Sequence, residues 1–88
     1  MTIHARQRLE ERFNMTQEYF LKKYNKAIRD KRFFKRGQEG LNPNTISVCI
    51  PIGNRLLVVV LAKRDGAIVT IAKAKYRDYE IAREKNIL

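Results

Sequence analysis

The chain has 88 residues, 44% of them apolar, and carries 19 lysines and arginines against nine aspartates and glutamates, for a net charge of +10. That length excludes a second domain with its own core, so residues 1–88 read as one domain, and the charge points to a polyanionic partner, RNA or another nucleic acid first. The longest apolar run, Leu56–Ala62, is far too short to cross a bilayer, which argues against a membrane partner. The first dozen residues hold His, Arg and Glu instead of an apolar secretory stretch, so a cytoplasmic location is expected. A single cysteine, Cys49, and a single histidine leave no internal disulfide, no zinc ligand set and no expected cofactor.

Thr2 is placed to cap a first helix reaching about Phe13, in which Ala5, Leu9 and Phe13 form an apolar stripe. His4, Arg8 and Arg12 repeat at the same spacing about 100° further round, at the border of the buried face. Thr16 is placed to cap a second helix running through about Lys31, with Phe20, Leu21, Tyr24, Ala27 and Ile28 on one arc. Gly37, Gly40 and the Asn42-Pro43-Asn44 turn then end helical structure and open a loop.

From Thr45 the apolar period changes to two: Ile46, Val48 and Ile50 predict a half-buried strand, an edge, ending at Pro51. A turn at Gly53-Asn54 leads into Arg55–Lys63, apolar on both faces and therefore the central strand. Asp65-Gly66 predicts a tight type I′ hairpin into a third strand, Ala67–Lys75. Residues 76–88 are only loosely periodic and read as a short C-terminal helix. The expected fold is α+β: two N-terminal helices packed on one face of a three-stranded antiparallel meander.

Two groups of residues carry chemistry. A helix stripe of one imidazole and two permanent cations is suited to hold a phosphate and move a proton beside it, as metal-independent RNA cleavage requires. In that reading His4 is the acid or base, kept neutral by the helix N-terminus and by Arg8, while Arg8 and Arg12 bind the phosphate. The plain alternatives are a polar residue at a fraying terminus for His4 and surface ion pairs, to Glu11 for example, for the arginines. The second group is the basic segment Lys22, Lys26, Arg29, Arg32, Lys35 and Arg36, where the cations contact backbone phosphates and Tyr19 or Phe33 offers a face to an unstacked base. Its alternative is a solvated helix face whose aromatic rings all point inward. Glu39, in the loop between the glycines, is a further candidate acid or base.

The His-Ala-x-x-Arg-x-x-x-Arg helix start, the Phe-Lys-Arg-Gly stretch, the Gly-Asn-Arg-Leu-Leu-Val-Val-Val hairpin and the Ile-Val-Thr-Ile strand together resemble a family of small domains of unassigned function. That family is grouped with the ribonuclease toxins of the barnase and RelE-like fold, and the resemblance spans roughly residues 3–75. It implies an RNA-cleaving site at His4 and Arg8, with Arg12 less firmly matched, completed by Thr70 of the third strand through its hydroxyl. The sequence thus yields a metal-independent endoribonuclease of toxin type as one expectation. The other is a non-catalytic module, phage-encoded for example, that binds nucleic acid or an acidic protein. Further partners in either case are a neutralising protein or a second copy paired along the first strand, so that the chain is a monomer or a homodimer.

Overall fold

Both N-terminal helices begin where a threonine hydroxyl accepts a backbone N–H that the first turn leaves unpaired. The computed structural model describes residues 1–36 and 42–88. Helix α1 runs Ile3–Phe13 and α2 runs Gln17–Arg29. The Thr2 hydroxyl accepts from the Ala5 amide at 3.1 Å, and that of Thr16 from the Tyr19 amide at 3.2 Å. Helix α2 stops short of the expected Lys31, because Lys31 itself turns left-handed at φ 57°. Its N–H bonds the Ile28 carbonyl at 3.2 Å, and the Arg32 N–H reaches back to the Ala27 carbonyl at 2.8 Å. Those two bonds are a Schellman ending with lysine where glycine is usual.

The sheet has four antiparallel strands in the order of the chain: β1 (Phe34–Lys35), β2 (Thr45–Ile52), β3 (Arg55–Ala62) and β4 (Ile68–Lys73). Two expectations are corrected here. The meander has four strands, not three, and β2 is interior, because Phe34 pairs with Cys49 and Lys35 with Val48. A two-residue strand is too short to show alternation, so nothing in its composition marks it.

The β2–β3 turn is two residues long, with Gly53 at φ 62° and Ile52 opposite Arg55. The β3–β4 connection is longer than the expected type I′ turn. It spans residues 63–67, only Gly66 in it has positive φ (74°), and Asp65 turns its carboxylate onto the Ala67 amide at 3.0 Å. A register shift at Val60/Leu61 accompanies it, the local signature of a bulge. Ahead of β2, the Asn42 side chain accepts from the Asn44 amide at 2.8 Å, an Asx turn. Gly37, Gly40 and Glu39 lie outside the described residues.

Strand alternation divides the interior into two cores. On one face Ala5, Leu9, Phe13, Phe20 and Ala27 of α1 and α2 meet Val48, Ile50, Leu57, Val59 and Ile71. Helix α1 lies over β4 and α2 over β2. The other face is covered by a third helix, α3 (Tyr76–Glu84), whose Ala82, with Ile87 beyond it, packs on Phe34, Cys49, Leu56 and Val58. The expectation of helices on one face only is therefore corrected. Loose periodicity in residues 76–88 reflects a short helix that buries a narrow stripe and closes with its own Schellman bonds, Ile87 N–H to the Ala82 carbonyl at 2.9 Å and Asn86 N–H to Arg83 at 3.1 Å. No helix among the described residues is long and apolar enough to cross a membrane.

Candidate nucleic-acid interface

The stripe at the start of the chain forms as the spacing predicts. Arg8 donates from Nε to Nε2 of His4 at 3.4 Å, an exposed contact between residues one helical turn apart. Arg12 is exposed on the next turn. The contact is long and exposed, and its energetic weight is correspondingly small.

Thr70 does not join this stripe. It pairs with Val60, while its neighbour Ile71 pairs with Val59 and packs in the core under α1 and α2. Successive strand residues face opposite ways, so Thr70 projects to the α3 side of the sheet, with the sheet between it and α1. The resemblance-derived set of His4, Arg8 and Thr70 is thus split between two faces, and one phosphate cannot bridge it.

The basic segment behaves differently. On α2, Lys22, Lys26 and Arg29 stand at i, i+4 and i+7 and are all exposed. A second row, Tyr19, Lys23, Lys26 and Asp30, runs beside it, facing the β2–β3 turn. Between that row and the turn lies a groove of about 230 Å³ lined by Lys23, Lys26, Ala27, Asp30, Arg32, Pro51 and Gly53. Tyr19 is 44% exposed, whereas Phe33 packs against the core, so of the two aromatic candidates only Tyr19 offers a face. The Lys23 ammonium sits over that ring, 5.7 Å from its centroid.

The end of the basic segment is divided by β1. Lys35 alternates toward the α2 side and is exposed, whereas Arg36 falls on the α3 side. There its guanidinium lies 3.3 Å from the buried Asp78 carboxylate, whose Oδ2 also accepts the Lys75 amide at 2.8 Å. Arg36, expected as a phosphate contact, is therefore occupied in holding α3. Asp78 and burial together push the adjacent Cys49 thiol up to about 12, burial being the larger cause. Arg32 is partly committed as well, donating from Nη2 to the Ile87 carbonyl at 2.6 Å. Among the described residues Arg29 is the α2 cation with an acidic partner, Asp30, at 3.9 Å.

The His4 stripe and the α2 groove are far apart. Thr2 is tied to the start of β4 through the Ile68 and Val69 carbonyls, and Ile68 pairs with Leu61. The groove sits at the other end of β3, next to Arg55, roughly 20 Å away at ~3.3 Å per residue. Lys23 is the residue that sequence reasoning missed; its i+4 spacing from Tyr19 was the available signal. Comparison with protein-family models, with curated proteins and with solved structures finds no match for this chain.

Proposed function

We propose that this chain is a cytoplasmic nucleic-acid-binding module that holds the phosphate backbone with the cations of α2. The observation that carries the reading is the row of exposed Lys22, Lys26 and Arg29 beside a second row with Lys23, in a stretch whose one acidic residue is Asp30. Binding of this kind is largely blind to sequence and weakens with salt, because each neutralised phosphate releases a counterion. Charge reversal at Lys22, Lys26 and Arg29 should abolish binding to RNA in a gel-shift titration. Single replacements by alanine should each flatten the logarithmic salt slope by about 0.7–0.9. Unchanged affinity after triple reversal would refute the assignment.

A second reading, metal-independent RNA cleavage with His4 as acid or base and Arg8 on the phosphate, is favoured by the His4–Arg8 contact. The strand hydroxyl expected to complete that site is not on the same face, since Thr70 lies across the sheet. Incubation with single-stranded RNA in EDTA discriminates the two: product from the native chain that disappears in His4→Ala establishes cleavage, and no product from either leaves binding alone.

A further inference from the structure

We propose that the groove between α2 and the β2–β3 turn takes one unpaired nucleotide of a single strand, its phosphate among Lys23, Lys26 and Arg32 and its base against the Tyr19 ring. This rests on the nucleic-acid reading above and narrows it from polyanions in general to single strands.

Size and chemistry agree on the occupant. At about 230 Å³ the groove falls below the roughly 300–1,000 Å³ of pockets that enclose whole small ligands, so it admits a sugar-phosphate unit and leaves the base at its mouth. Tyr19 stands beside the groove, next to Gly53 and Lys23 of its lining. A Cβ built on Gly53 would lie 3.9 Å from the Tyr19 hydroxyl, so the tip of the ring is set beside the turn while the residue as a whole stays 44% exposed. A partly exposed aromatic ring beside a cationic groove is a platform for a base. The cation–π contact with Lys23 links that platform to the groove behind it.

The anion site is partly built in advance. Arg32 is fixed by its bond to the Ile87 carbonyl and keeps further guanidinium donors free for a phosphate. Asp30 opposes an anion, but it lies 3.9 Å from Arg29, and three cations still line the groove. A duplex cannot use this arrangement, because its bases are stacked on one another and present no face to Tyr19. Lys22 and Arg29, on the outer row, would contact either form.

The test compares an oligouridine with an RNA duplex of equal phosphate number, by fluorescence anisotropy at one low salt concentration. The native chain should bind the single strand more tightly. Tyr19→Ala should weaken single-strand binding about tenfold, the size of one lost base–aromatic stack, and leave duplex binding unchanged. Tyr19→Phe, which keeps the ring face, should restore the native value, and far-UV circular dichroism checks that both variants are folded. Equal affinity for the two probes, or a Tyr19→Ala variant indistinguishable from native, overturns the single-strand site and leaves backbone binding standing. Failure to bind either probe overturns both.

Discussion

Replacing Asp78 by alanine tests how the second core is held. The carboxylate makes two contacts from a position only 4% exposed: it accepts the Lys75 amide at 2.8 Å, reaching back from the first turn of α3 to its N-cap residue, and lies 3.3 Å from the Arg36 guanidinium. Loss of the cap contact costs about 1 kcal/mol. Breaking a fully buried ion pair from one side costs roughly 3–5 kcal/mol, but the Arg36 side chain is 25% exposed and can swing toward water, which reduces that component to about 1–2 kcal/mol. Asp78→Ala should therefore lose about 2–3 kcal/mol, read as a lowered urea midpoint. Because α3 covers Cys49, the variant should also expose that thiol to an aromatic disulfide reagent that leaves the native protein unmodified. A loss under about 0.5 kcal/mol with Cys49 still protected would show that apolar packing alone secures α3.

Cys49 also predicts an alkaline weakness. Its thiol is pushed up to about 12, chiefly by burial, against 9.0 for an ordinary thiol, so between those values the folded chain keeps a proton that the unfolded chain has lost. Stability should then fall as pH rises from about 9 toward 12, and urea midpoints for Cys49→Ala should decline less steeply over that window. Phe20 is fully buried and stacks on Tyr24 at 5.6 Å; Phe20→Ala should cost about 3–5 kcal/mol in the same assay. Lys31→Gly should raise stability by about 0.5–1 kcal/mol, since it relieves a left-handed lysine at the end of α2, and a fall in the midpoint would contradict that account.

The elements legible in the sequence are those whose signal is local and repeated. Thr2 and Thr16 mark helix starts because a hydroxyl accepts an N–H within its own turn, and the apolar run from Leu56 marks a strand whose residues Leu56 to Val59 are buried on both faces. What escaped prediction depends on distant partners. Phe34 and Lys35 become a strand through Cys49 and Val48, and the expected C-terminal helix covers the second face of the sheet because that face is apolar. The same division runs through the candidate site. Helical spacing brought His4 to Arg8 and aligned Lys22, Lys26 and Arg29, whereas register decided that Thr70 faces away and that Arg36 meets Asp78. Spacing within α2 sets Lys23 one turn from Tyr19, but the groove it lines also needs the β2–β3 turn, which that spacing does not place.

Each strand of the sheet pairs with its neighbour in the chain, so closing any rung costs little loop entropy. The longest-range hydrogen bond among the described residues is at the N-terminus, where the Thr2 hydroxyl donates to the Val69 carbonyl across 67 positions. Folding is therefore expected to zip outward from the Gly53 and Gly66 turns, with α1 docking onto β4 as the closing step. In hydrogen exchange α1 should then be the segment that opens first and most often, exposing amides while the strands remain protected.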